Sequence, residues 1–222
     1  MIYACTRGDT KQVLFHGDLQ MQETQDRWRE MMPGRVRLVY SDPPWNPGNA
    51  TYWRTHAGLD PCASYDAFLD AWVGVVATAI ERGAGDVLQE QSANVKHSDM
   101  LLLAVARQPR WTLPLLERWS VYYGSPGSAS VRTPNVLFHF GLRPLATDPN
   151  GMAGEPMTIR ACAGLGLRPG DWIVEPCMGK GMTSRIAHYW QCNCIGSEIN
   201  PKRLAVALEW LRRQGYAISE SA

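Results

Sequence analysis

The sequence has no apolar run approaching the ~20 residues that a membrane helix needs, so no spanning segment is expected. Residues 1–10 are mixed and interrupted by polar side chains, and no signal peptide is expected there. None of the six cysteines (Cys5, Cys62, Cys162, Cys177, Cys192 and Cys194) belongs to a Cys-x-x-Cys pair, and only Cys192 and Cys194 lie close together. With no second Cys/His pair at zinc spacing, no metal site is expected, and reduced thiols in a cytoplasmic protein are. Charge of one sign is missing too: 22 basic and 21 acidic residues leave a net charge of +1. A nucleic-acid-binding domain is usually more basic. Such a balance leaves the matter to where the charges sit. There is no repeat and no low-complexity tract.

What is present fits one α/β domain. The 222 residues suffice for a buried core and leave little for a second domain. Hydrophobic residues make up 45% and charged residues 19%, an ordinary globular balance. Strand-like and helix-like segments alternate, which predicts a largely parallel sheet covered by helices. Strands are expected at residues 12–16, 36–40, 86–90, 172–174 and 194–196. An antiparallel pair is expected at 117–123 and 135–140, around a Gly/Ser/Pro loop. Helices are expected at 21–32, 64–82, 99–107, 155–165, 183–190 and 201–214. Ser64 reads as the cap of the second of these and Gly83 as its stop. Residues 46–62, rich in Pro, Gly, Asn and Thr, read as a long loop. Trp111, Trp119 and Trp210 read as core packing.

Two motifs carry chemistry. The first, Asp42-Pro43-Pro44-Trp45, follows an apolar strand, and ligands of doubly wound sheets bind outside the carboxyl ends of strands. The motif suits methylation of an aromatic amine, whose lone pair is delocalised into the ring. Two acceptors aimed at its N–H bonds favour the tetrahedral geometry needed for attack. The Asp42 carboxylate and the Pro43 carbonyl can serve, held in the rigid frame of Pro43 and Pro44. Trp45 offers a face for base stacking, worth about 1–3 kcal/mol in single-strand binders.

The second motif runs over residues 172–183, a strand, a glycine turn and a helix. Gly179 and Gly181 let backbone approach a ligand and expose helix N–H groups. Glu198, at the end of the next strand, is placed to hold the ribose hydroxyls of a nucleoside cofactor. A dinucleotide Gly-x-Gly-x-x-Gly pattern fails, because Ser184 stands where its third glycine belongs.

Together these motifs resemble the beta-class amino methyltransferases of DNA, the N6-adenine and N4-cytosine type with circularly permuted motif order. The resemblance covers most of the chain. It implies a Rossmann-like methyltransferase fold of the α/β class, with a mostly parallel sheet, an antiparallel hairpin strand and helices on both faces. It implies one domain over residues 1–222, with residues 46–62, 91–98 and 124–134 as candidate target-recognition loops. The implied cofactor is S-adenosylmethionine. Asp18 falls in a His-Gly-Asp segment beside its adenine, and Glu155 at the start of a helix that touches it. Glu175, Pro176, Cys177, Met178, Gly179, Gly181 and Thr183 form its loop, and Glu198 and Asn200 its ribose turn. Glu175 replaces the family's usual Asp, Cys177 its Phe and Met182 one of its Thr residues. Glu155 stands where Lys is frequent, and Asn135 near a His-Glu pair common on the hairpin strand.

The substrate expected is duplex DNA with the target base flipped out. Asp in the motif favours adenine N6, whereas Ser mostly accompanies cytosine N4. Trp45, Tyr52, Trp53, Arg54 and Arg132 are expected to meet base or backbone. Lys96, His97 and Arg143 are further basic side chains within reach of phosphate. No metal and no membrane are implied. A homodimer remains open, in the cytoplasm of a bacterium or a phage-infected host cell. Alternatives are an RNA adenine N6-methyltransferase, a DNA cytosine N4-methyltransferase, a small-molecule or protein amine methyltransferase, and an inactive methyltransferase-like module that only binds nucleic acid.

Overall fold

Successive side chains of a strand point to opposite faces, and here both faces are apolar. In the computed structural model, which describes residues 1–123 and 133–221, this pattern builds one sheet between two helical layers. The strands are β1 (Ile2–Arg7), β2 (Thr10–His16), β3 (Leu38–Ser41), β4 (Asp86–Ser92), β5 (Leu115–Tyr123), β6 (Thr133–Gly141), β7 (Trp172–Glu175), β8 (Asn193–Glu198) and β9 (Ala217–Ser221). The helices are α1 (Gln22–Met31), α2 (Pro47–His56), α3 (Tyr65–Glu81), α4 (Val95–Arg107), α5 (Gly154–Ala163), α6 (Met182–Tyr189) and α7 (Pro201–Arg213). The order across the sheet is β5-β6-β4-β3-β7-β8-β2-β1-β9. The central strands β4, β3, β7, β8 and β2 are parallel. β6 runs antiparallel to β4 and pairs with β5, while β1 runs antiparallel to β2 and β9 at the other edge.

Val39, Val87, Val174 and Ile195 pack with Trp28 of α1, Trp72 of α3 and Leu101 of α4 on one face. Leu38, Leu88, Ile173 and Cys194 pack with Met157 of α5 and Ile186 of α6 on the other. Leu14 packs against Leu204, Leu208 and Leu211 of α7. From β3 the chain crosses through α3 to β4 in one direction. From β7 it crosses through α6 to β8 in the other. The reversal lies between β3 and β7, and their carboxyl ends flank the crevice where such sheets bind ligands.

The expected loop at 46–62 is largely the helix α2. Asn46 caps it, its Oδ1 accepting the Asn49 N–H at 2.9 Å, and Pro47 takes the first-turn position where no N–H is needed. Residues 91–98 are likewise not a loop. Gln91 and Ser92 end β4, and α4 starts at Val95 behind the cap of Asn94. Of residues 124–134, only Thr133 and Pro134 are described, and both belong to β6. The opening residues form β1, and β9 adds an edge strand that the sequence reading does not contain.

Candidate active site

The Asp42-Pro43-Pro44-Trp45 motif is held by α3. The Trp72 indole donates to Ser41 Oγ at 2.9 Å, and the Tyr65 hydroxyl donates to the Pro44 carbonyl at 2.8 Å. Asp42 emerges just past β3, half-buried. The Trp45 indole N–H donates to its Oδ1 at 2.7 Å. Trp45 therefore addresses the carboxylate through its edge, a contact not expected from the sequence. Burial pushes the Asp42 carboxyl up to about 6, even though the Trp45 bond and the charge of Arg203 act to lower it.

The second motif is a stapled turn. Glu175, 2% exposed, accepts the Cys177 N–H at 3.1 Å and the Thr183 hydroxyl at 2.9 Å, each on a different oxygen. Burial pushes its carboxyl up to about 8. The Ser197 hydroxyl donates to the Pro176 carbonyl at 2.7 Å, tying the turn to β8. Gly179 and Gly181 have φ of +57° and +85°, a region that favours glycine. A Cβ on Gly181 would stand 2.8 Å from Cβ of Ala207 on α7, so the turn can sit this close only without one. Glu198 accepts the Gly179 N–H at 2.8 Å and the Asn200 N–H at 2.9 Å. Asn200 in turn caps α7 and donates to the His56 carbonyl at 3.2 Å, which joins the turn after β8 to α2.

Two clefts meet here. The smaller, of about 570 Å³ with its mouth, is lined by Asp18, Leu19, Phe68, Pro176, Glu198 and Ile199 among others. The larger, of about 1380 Å³, is lined by Tyr40, Glu90, Glu155, Thr158, Glu175, Met178, Lys180 and Arg185 among others. Asp42, Trp53, Cys177, Gly179 and Arg203 belong to both. Arg203 Cζ lies 4.0 Å over the Trp53 ring, a cation–π contact that makes one wall for the two spaces.

The other expected residues distribute unevenly. Arg54 is not presented outward to nucleic acid: it is ion-paired with Asp18 and bonded to the Asp60 carbonyl at 2.8 Å. Tyr52, 47% exposed, stacks on His56 with ring centroids 3.8 Å apart. Glu155 pairs with Arg185 at 3.2 Å. Met178 and Thr183 are buried; Met178 lines the larger cleft, while Thr183 lines neither and holds the turn through Glu175. Arg132 lies outside the described residues. Tyr40, Glu90, Thr158 and Arg203 were missed. Glu90 carried a signal, being an acid at the carboxyl end of a predicted strand. Arg203 carried little, since a cation in the first turn of a helix opposes the helix dipole.

No protein-family model matches the chain, and no curated protein is similar to it in sequence. Solved structures are similar. TTHA0409 of Thermus thermophilus, described as a DNA modification methylase, superposes with a TM-score of 0.61 at 17% identity, over 90% of this chain and 94% of its own. M1.HpyAVI in complex with SAM gives 0.57 at 14% identity, over 89% and 97%. The PvuII DNA methyltransferase, cytosine-N4-specific, gives 0.60 at 12% identity, over 89% and 85%. Such likeness at low identity is a likeness of fold, and this chain has the Rossmann-like α/β fold of the DNA methyltransferases.

Proposed function

We propose that the chain, as one unit over residues 1–222, transfers a methyl group from S-adenosylmethionine to the exocyclic N6 of a flipped-out adenine in DNA. The observation that carries this is the position of Asp42 at the junction of two clefts that Gly179 of the glycine turn also lines.

The residues fit the cofactor. Asp18 and Glu198 in the smaller cleft can accept from ribose hydroxyls and an adenine amine, between the apolar walls of Leu19, Phe68 and Ile199. The larger cleft adjoins the smaller one through the glycine turn, so that a cofactor whose nucleoside lies in the smaller cleft can bring its reactive end to Asp42, which lines both. Held by the residues of the two clefts, S-adenosylmethionine would supply an electrophilic methyl group for the amine. Asp42 accepts one N–H of the amine, turns its lone pair out of the ring plane and takes up the proton released. Trp45 holds that carboxylate in place, and the Tyr65 and Trp72 bonds hold the motif. The DNA substrate, the flipped base and the cytoplasmic setting belong to the same reading; the likeness to TTHA0409 and to the PvuII enzyme supports DNA as the substrate, and the likeness to M1.HpyAVI in complex with SAM supports the cofactor.

Cytosine N4 is the second reading, favoured by the likeness to the cytosine-N4-specific PvuII enzyme. Expression in a methylation-free bacterial host, followed by single-molecule sequencing of its DNA beside an Asp42→Ala control, separates the two. The expected result is N6-methyladenine in a recurring motif, absent from the control. N4-methylcytosine in its place would establish the second reading. No modified base from a folded protein would overturn both.

A further inference from the structure

Asp42 is not the sole acid at the carboxyl ends of the central strands. Ser41 of β3 pairs with Gln89 of β4, so Asp42 and Glu90 each stand one residue past the same rung. Neighbouring strands run ~4.8 Å apart. The backbones at the two residues are therefore neighbours, and both side chains line the larger cleft.

Glu90 is 6% exposed. Its Oε1 accepts the Tyr40 hydroxyl, which also bonds Thr158 of α5 at 2.9 Å. Among the described residues nothing is bonded to its Oε2. The charged groups set against it are acids: Asp42 from β3 and Glu175 from β7. The cleft's cations are placed elsewhere. Arg185 is paired with Glu155, Arg203 stacks on Trp53 and acts on Asp42, and Lys180 is exposed. Burial, and next the charge of Asp42, hold the Glu90 carboxyl well above the usual carboxylate range, although the Tyr40 hydroxyl acts to lower it. Neighbouring carboxyls, one of them buried, do not readily ionise together. Asp42, with an indole N–H and Arg203 beside it, is the one that gives up its proton first.

We infer that Glu90 is a second base-reading residue, a carboxylic acid whose O–H donates to the ring nitrogen beside the amine that Asp42 accepts. The inference rests on the base-methylation reading above. An acceptor next to a donor matches the edge of adenine, with N6 beside N1, and of cytosine, with N4 beside N3. Guanine and thymine present a carbonyl and an N–H in the reverse order, and a pair protonated this way leaves both of its groups unpaired against them.

Two measurements test this. In the free protein, the carbon resonance of the Glu90 carboxyl, assigned with Glu90→Gln, should show a protonated acid at pH 7. Its midpoint should fall in Asp42→Asn. An ionised Glu90 at pH 7 overturns the inference whether or not the protein methylates DNA. The second measurement uses a duplex carrying the motif found by sequencing, with 1-deazaadenine at the target. The wild type should lose about tenfold or more in rate relative to adenine. Glu90→Ala should lose a similar factor on adenine and no more on the analogue. Glu90→Gln, whose amide keeps an N–H donor, should recover most of the rate. Equal rates on the two bases by the wild type, with a normal melting temperature throughout, would sink the proposal. A folded protein that holds a protonated Glu90 yet methylates no base in DNA fails the proposed substrate, while the acid–acceptor pair stands.

Discussion

At the scale of single residues, the proposed chemistry turns on the state of one carboxyl. An acceptor for an amine N–H must be ionised, and burial has raised the Asp42 carboxyl to about 6. A raised value means that the protonated fraction grows on approaching pH 6 from above. The single-turnover rate should therefore fall as pH drops through about 6, earlier than an exposed aspartate near 3.9 would allow. Trp45→Phe removes the indole N–H that favours the ionised form. It should move the acidic limb upward by about one unit, with a smaller effect on the rate at pH 8. A variant that lowers the rate equally at every pH would show that Trp45 serves only as a stacking face. The sequence alone singled out Asp42, because an acid before two prolines at a strand end can present two rigidly held acceptors to an amine. It did not reveal the partner of Trp45, which depends on a rotamer that no spacing encodes.

At the scale of elements, the sequence reading recovered the central strands and most helices. Their periodicity is set by two-sided burial, and burial is written in apolar residues such as Val39 and Trp72. It failed where other forces prevail. The helix α2 has a composition typical of loops, yet the Asn46 cap and Pro47 start it, and Trp53 and Ala50 anchor it against the clefts. β9 has an exposed, polar pattern and exists because β1 offers it an edge. The glycine turn before α6 was legible as glycine, but its reason lies across the fold, in Ala207 of α7. Gly181→Ala combines a φ of +85° with a 2.8 Å approach to that side chain. It should cost about 1–3 kcal/mol, lowering the melting temperature by roughly 2–10 °C. It should also weaken cofactor binding in calorimetry more than Gly166→Ala. That glycine has φ +64° but nothing within 4 Å of an added Cβ. Equal losses of cofactor affinity in the two variants would mean that backbone strain alone, and not the packed turn, accounts for the effect.

At the scale of the whole molecule, the acidic clefts at the carboxyl ends are balanced by an ionic cluster at the opposite end of the parallel strands. His139 of β6 is fully buried. Its Nε2 lies 2.8 Å from Asp86 at the start of β4, and its Nδ1 3.0 Å from Glu117 of β5. Arg37, just before β3, pairs with the same Asp86 and donates to the Leu165 carbonyl at 2.6 Å. Glu117 also accepts the Leu145 N–H at 2.8 Å, so the cluster ties three strands to the segments flanking them. Burial acts to lower His139, but its bonds to Asp86 and Glu117 outweigh it and raise the imidazole above its usual 6.5. Burial acts to raise Asp86, but its bonds to His139 and Arg37 outweigh it and hold it below its usual 3.8. A raised histidine contributes stability in full below 6.5, and that contribution is lost as pH rises through the folded value. A depressed aspartate contributes above 3.8, and loses it as pH falls through its folded value. The two overlap fully between about 4 and 6.5. His139→Gln should therefore cost the most near pH 6, about 2–3 kcal/mol, because it removes the charge-assisted bonds to Asp86 and Glu117 while Arg37 still pairs with Asp86. The cost should shrink as pH rises and the wild-type imidazole loses its proton. Urea unfolding of both proteins across this range would show the difference narrowing. A difference that stays constant from pH 6 to pH 9 would mean that His139 acts by shape and neutral hydrogen bonds, with no charged partner in the fold.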